Sequence, residues 1–392
     1  MTEPVDRRAA LLAAKLGALV RGRWPDAAEG ARPGTFPGGA MLGDAQGRRL
    51  WVLLDDEAEV DAARRLGATL AVARRSGAAE LHLLVADPDA AAVLARRAAQ
   101  FARPPGVWTV DGVELHRAAP AAPAQDPAPP PEAELFRPIL AAAGLETVVE
   151  GGSLLGELRG LEVARLVIGD DGAAHLEAGV GRFDREVGAM MFAELSETDA
   201  LARAADYVAA VRRPGAPRHP LNQLVPERWL RTVLIERPDL VGAASLRAVG
   251  SAIPRANLKE GGIATAVGTD LEGRPLVVSC STGVDLELVP GAADDRLTHH
   301  PDARLVLAVP ARDALAVTTE LAGHLAAPAE VVTVDDEKLV GMIGKFVETA
   351  QITQDDFQGN VLADGHHVKV HDRTDRILGV GHCGPQLLAL FD

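Results

Sequence analysis

One stretch of this chain occurs twice, and that repetition limits what the chain can fold into. GGAMLGDAQGRRLWVLL at residues 38–54 lies beside GGIATAVGTDLEGRPLVVS at residues 261–279, with a short insertion. Each copy reads as a hairpin whose polar, glycine-containing turn feeds a core strand. The elements after each copy repeat as well. The first continues as strand RRLWVLL, a helix over about 57–75, strand ELHLLVA, a helix over about 88–102 and strand GVWTV. The second continues as RPLVVSC, a helical or irregular segment around 291–297, ARLVLAV, a helix over about 312–326 and AEVVTV. Short apolar strands alternating with amphipathic helices predict an α/β fold, with a parallel or mixed sheet covered by helices. Its recurrence predicts a module present in two or three copies.

At 392 residues the chain exceeds one ordinary core. The clearest boundary is AAPAAPAQDPAPPP at 118–131, where proline recurs too often for helix or central strand and predicts an extended linker. Beyond it lie helix EAELFRPILAAAG, strands within LLGELRGLEVARLVIGDDGAAHLEAGVGRF joined by a turn at 169–172, and helix TDALARAADYVAAVRR. This middle unit reads as a third, less complete copy. Helix PERWLRTVLIERPDLVG then opens the second clear module. From about Asp335 alanine and arginine thin out, and GHHVKVHDRTDRILGVGHCG reads as two short strands around a DRTD turn. The expected division is therefore 1–117, the linker 118–131, 132–219, 220–335 and a small C-terminal element at 336–392.

Composition narrows the function classes. The net charge of −15 opposes broad, sequence-independent contact with phosphate backbones, and aromatics at 3% leave little for base-stacking platforms. Residues 1–118 hold roughly equal numbers of acids and bases, so the excess negative charge lies further along. Cys280 and Cys383 do not form the framework of a secreted disulfide protein, and a reducing, cytoplasmic setting is expected. The N-terminus carries charges through its apolar stretch and reads as an amphipathic helix, and no apolar run is long enough to span a membrane.

The order of ERWLRTVLIERPDLVG, a glycine-rich stretch, the TDLEGRPLVV hairpin, a helix, strand LVLAVP, a helix and a final strand resembles the restriction-endonuclease-like PD-(D/E)xK superfamily, most closely its mismatch-endonuclease branch. That resemblance implies an Asp on the first hairpin strand and Glu-x-Lys on the second, holding magnesium for phosphodiester hydrolysis. This chain instead has Ala264 or Thr265, then Ser279, Cys280 and Ser281. The N-terminal copy has Met41 or Leu42, then Val52, Leu53 and Leu54, with Asp55 and Asp56 just beyond. Both outer copies are thus expected to be catalytically degenerate, since a hard divalent cation needs oxygen ligands. In the middle unit Glu162 and Glu177 fall on consecutive strands where two metal-binding acids would sit, with Glu134 on the preceding helix. Gly179 replaces the Lys, and Arg182 or Arg185 stands nearby. No cofactor is expected unless that unit is active, in which case it takes Mg or Mn.

Other groups carry weaker signals. His366, His367, His371, Asp372 and His382 crowd the C-terminal strands beside Cys383 without matching a zinc spacing, although His367 and His371 share a strand face. His299 and His300 read as a surface turn, and GVGRFD and GVGHCG as turns without the strand-loop-helix context of a phosphate cradle. The proline-interrupted basic segment with Arg212, Arg213, Arg218 and His219 is the candidate contact for a phosphate or an acidic partner. Together these features predict binding or architecture involving a protein partner or nucleic acid.

Overall fold

A computed structural model describes residues 3–58, 60–125, 127–181, 196–213, 216, 219–253, 255, 261–335, 361–364, 367–371 and 377–382. The chain divides into two compact units, Met1–Ala122 with Phe346–Asp392, and Pro123–Lys345.

The first module runs α1 (Glu3–Arg23), α2 (Pro25–Ala28), β1 (Arg32–Phe36), β2 (Gly39–Gly43), β3 (Arg49–Leu54), α3 (Leu66–Ser76), β4 (Glu80–Val85), α4 (Pro88–Ala98), β5 (Gly106–Asp111) and β6 (Glu114–Arg117). Strands lie side by side in chain order. β1, β2 and β3 form an antiparallel meander, β3, β4 and β5 run parallel through helical crossovers, and β6 returns antiparallel. α1 presents Leu16, Leu19 and Val20, one helical face, to Ala40, Trp51, Leu53 and Leu84. The helix expected from residue 57 starts only at Leu66. The Asp61 carboxylate accepts from Ala63 N to cap a 3-10 turn, and buried Arg65 donates to the carbonyls of Val60 and Pro37, so this acidic stretch is held as a loop. α4 starts where expected, with Asp87 accepting from Asp89 N and Pro88 in its first turn.

The middle module departs from a third copy. It comprises α5 (Ala133–Ala142), β7 (Glu146–Glu150), β8 (Ser153–Leu158), β9 (Leu161–Ile168), β10 (Ala174–Ala178) and α6 (Glu197–Val211). Its sheet is an antiparallel meander in the order β10-β9-β8-β7. The turns decide this. Gly151 and Gly152 (φ 58 and 76) join β7 to β8, and Arg159 and Gly160 (φ 47 and 74) join β8 to β9. Paired positive φ angles make tight hairpins, whereas a parallel pair needs a crossover of about a dozen residues or more. α5 and α6 share one core with the sheet, built on Leu140, Leu154, Leu161, Leu166, Leu201 and Val208.

The third module repeats the first: α7 (Pro226–Glu236), β11 (Ala243–Val249), β12 (Ala264–Asp270), β13 (Pro275–Cys280), α8 (Leu288–His299), β14 (Arg304–Pro310), α9 (Ala316–Gly323) and β15 (Glu330–Val334). β11, β12 and β13 form the antiparallel meander, and β13, β14 and β15 run parallel. The repeated hairpins also close alike. Gly47 N donates to Asp44 O and Gly273 N to Asp270 O, while the two aspartate Oδ1 atoms accept from Arg48 N and Arg274 N. The glycines have φ 69 and 78, which explains their recurrence. The first loop is one residue longer, since Gly43 pairs with Leu50 where Thr269 pairs with Pro275.

The linker is anchored at both ends. Ala121 N donates to Ala92 O and Arg96 to Ala122 O, while Pro127 lies over Gly152. Near the C-terminus β16 (Val361–Asp364), β17 (His367–His371) and β18 (Ile377–His382) form an antiparallel sheet, one strand more than expected. The DRTD turn lies outside the described residues. Among the described residues no helix is long and apolar enough to cross a membrane.

Candidate functional site

The candidate acids of the middle module sit on either side of an arginine. The β8–β9 register shifts after Gly156, so that Glu157 faces Glu162, Gly156 faces Ala164 and Val163 is left unopposed. This bulge brings Glu162 and Arg165 to the same face, although residues three apart on a regular strand point oppositely. Arg165 grips Glu162 through Nε and Nη2, both at 2.9 Å, and Glu177 on β10 is the register partner of Arg165. The cation between the two carboxylates is therefore a guanidinium, whose pKa the Glu162 hydrogen bond raises further. Glu134 is exposed on α5 and paired with Arg137. Arg182 and Arg185 lie outside the described residues.

Glu162 also borders a buried ionic seam where α7 meets the middle sheet. Glu157, 0% exposed, accepts from Arg228 at 2.8 Å and from Arg231 at 2.5 Å, and Arg228 also holds Glu150 at 2.6 Å. Burial opposes the charge of Arg228, but the surrounding glutamates outweigh it and its pKa rises. At the start of α7 Glu227 pairs with Arg255, although burial still pushes the Glu227 carboxyl up. Removing one member of such a set leaves another charge uncompensated inside the protein.

In the third module the hairpin positions hold a sealed hydroxyl–carboxylate cluster. Thr265 faces Ser279 in register, with hydroxyl oxygens 3.4 Å apart, and Thr265 donates to Asp295 of α8. Ser251 Oγ donates to the same carboxylate at 2.9 Å and Ala252 N at 2.5 Å. Burial pushes the Asp295 carboxyl up to about 6, against the pull of these donors. Thr265, Ser279 and Asp295 are all 0% exposed, so this carboxylate has no path to a substrate in the described state. Cys280 is equally buried and its thiol is pushed up to about 12, far from the thiolate a nucleophile needs. The strand that carries Ser279 and Cys280 is buried from Leu276 to Cys280.

The first module offers apolar side chains at the same hairpin, and Asp55 just beyond is occupied. Arg8 of α1 reaches Asp55 through two nitrogens and Glu57 through a third contact, holding the Asp55 carboxyl below its usual range. On the α1 side of the sheet Trp24, Trp51 and Trp108 surround His82, with Trp51 and His82 stacked at 6.0 Å. Trp108 Nε1 approaches His82 Nδ1 at 3.4 Å, and burial lowers the His82 pKa to about 4.

Arg212 does not face a partner. It is 0% exposed and donates to the carbonyls of Arg159, Leu221 and Leu224, with its guanidinium 4.6 Å from the Trp229 ring centroid. Burial lowers its pKa to about 9. Arg213 is exposed, His219 Nδ1 accepts from Leu221 N, and Arg218 lies outside the described residues. His299 belongs to the last turn of α8, with Nε2 2.7 Å from Gly250 O, and not to the turn expected for it. His367 and His382 are register partners on β17 and β18, and His371 pairs with Ile377. Among the described residues no group of three or more His, Cys, Asp or Glu is placed to hold a metal ion.

Comparison of the chain with protein-family models, curated proteins and solved structures finds no match. Sequence reasoning missed the ionic seam and Asp295. Their members are scattered through segments that each read as surface helix or strand, and only the packing of α7 and α8 brings them together.

Proposed function

We propose that this protein is a scaffold of nuclease-like modules that have lost catalysis and that it acts by binding a protein partner. The observation that carries this reading is the fate of the carboxylates at or packed beside the three hairpins. Asp55 is held by Arg8, Glu162 by Arg165, and Asp295 by buried hydroxyl and amide donors. A hard divalent cation needs several free oxygen ligands, which groups committed in this way do not offer. The nuclease-like part of the reading is supported by the outer modules, in which a helix leads into a three-strand meander followed by two parallel crossovers. A protein partner is favoured over nucleic acid by the net charge of −15 and by the use of Arg212 inside the fold. A reducing, cytoplasmic setting suits the buried free thiol of Cys280.

A second reading, a metal-dependent nuclease, is favoured by the placement of Glu162 and Glu177 on neighbouring strands. One experiment separates the two. The protein is incubated with branched, mismatched and single-stranded DNA and with RNA, in magnesium or manganese, beside a Glu162→Ala, Glu177→Ala variant of verified fold. The scaffold reading expects no cleavage by either protein. Metal-dependent cleavage that disappears in the variant overturns it and makes the middle module an enzyme.

A further inference from the structure

α5 and α6 leave an apolar furrow between them on the surface of the middle module. Its volume is about 380 Å³, and Pro138, Ile139 and Ala142 line one side while Thr198, Leu201 and Ala202 line the other. The apolar stripe extends along α5, since Leu135, one turn before Ile139 and two before Ala142, is 72% exposed. An exposed leucine alone needs no explanation, but one continuous with an apolar furrow marks a place where another apolar surface fits.

The charges around the furrow say what that surface carries. Glu132 and Glu134 precede the α5 lining, Glu197 and Asp199 flank Thr198, and Asp206 lies one turn beyond Ala202; all are exposed. The basic residues of these helices are Arg137, already paired with Glu134, and Arg203. Helix dipoles account for acids in the first turns of α5 and α6, but not for Asp206 near the end of α6. A second copy of this chain would bring like charges together across the contact, which opposes self-association.

We propose that the α5–α6 furrow docks a basic amphipathic helix of a partner protein, with aliphatic side chains seated between the two helices and Lys or Arg meeting the acidic rim. A ridge of side chains set into the groove between two helices is a recurrent mode of peptide recognition. This proposal rests on the scaffold reading and gives that reading a surface and a partner chemistry.

The test uses the full chain and a fluorescein-labelled helical peptide with leucine on one face and lysine on the other, beside a twin with glutamate in place of lysine. Anisotropy reads binding to the wild type and to Ala202→Glu and Ala209→Glu, two exposed positions on α6 that gain the same charge. Only Ala202 lines the furrow. The lysine peptide is expected to bind the wild type and Ala209→Glu alike, to bind Ala202→Glu about tenfold more weakly or worse, and the glutamate twin not to bind. Equal or tighter binding to Ala202→Glu would show attraction by bulk acidity and overturn the proposal, as would equal binding of the twin or failure of the lysine peptide to bind the wild type. A wild-type dimer in sedimentation that Ala202→Glu dissociates would assign the furrow to a second copy and overturn it too. Circular dichroism checks that both variants fold. Nuclease activity in the cleavage assay would refute the scaffold reading without altering these binding outcomes, so the two failures are distinguishable.

Discussion

α1 and α7 stand at equivalent places in the repeat, each leading into a three-strand meander, yet they are buried in different ways. α1 sets Leu16, Leu19 and Val20 on its sheet and leaves Leu11 63% exposed on another side. α7 sets Trp229, Leu230, Val233 and Leu234 in the interior and also buries Glu227, Arg228 and Arg231. The middle module covers Arg228 and Arg231 through Glu150 and Glu157, while Glu227 pairs with Arg255. One topology thus serves with one helix side wet or with both sides dry. In the second case the side that would have met water keeps its charges and acquires counter-charges.

The comparison breaks most visibly at Glu157. Glu157→Gln leaves Arg231 without its carboxylate partner and Arg228 with Glu150 alone, and is expected to destabilise this unit by about 3–5 kcal/mol. Arg8→Ala removes the corresponding pairing on α1, but Arg8 is 41% exposed, so the loss should be clearly smaller than that at Glu157. Urea unfolding followed by hydrogen exchange of peptides from α7, β8 and α1 measures both. A cost at Glu157 no larger than that at Arg8 would mean that the seam is not what joins α7 to the middle sheet.

The interiors of the two outer modules should also respond oppositely to acid. His82 has its pKa lowered from 6.5 to about 4 by burial, so the unfolded chain binds its proton first, and the first module loses stability as pH falls through this window. The loss amounts to at most about 3 kcal/mol. Asp295 has its pKa raised from 3.8 to about 6, so the folded state binds the proton first. The third module therefore gains stability as pH falls from about 6 towards 3.8. Hydrogen exchange corrected for intrinsic rate should show β3 and β4 less protected at pH 4.5 than at pH 7, and β12 and β13 more protected. His82→Phe and Asp295→Asn should flatten their own module's response and leave the other's unchanged. Parallel responses in the two modules would refute the assignment to these residues.

How much of the fold and the candidate site was legible in the sequence depends on the range of the forces involved. The outer modules could be read because apolar periodicity and a glycine-containing turn are local signals, and the repeat doubled them. The middle meander is hard to read because its order rests on the short turns at Gly151–Gly152 and Arg159–Gly160, without which β7 and β8 merge into neighbouring segments. Glu162 and Glu177 lie on consecutive strands, as alternation predicts, but the bulge that turns Arg165 towards Glu162 leaves no mark that alternation alone reveals. Arg212 reads in the sequence as a contact for a phosphate or an acidic partner, but its interior role depends on carbonyls at Arg159 and Leu221 that are remote in sequence or set by a turn.

The smallest expected effect tests the repeat itself. Gly47 and Gly273 occupy the same place in the Asp-x-x-Gly-Arg turn, both have positive φ, and a Cβ at either would meet nothing within 4 Å. Packing therefore contributes nothing to the cost of alanine, and only the left-handed backbone does, about 1 kcal/mol at each site. Gly47→Ala and Gly273→Ala should shift the urea midpoints of their own modules by matching free energies, despite the extra residue in the first loop. A cost at one site and none at the other would mean that one loop relaxes to negative φ. The shared turn would then be a resemblance of sequence without a shared conformational demand.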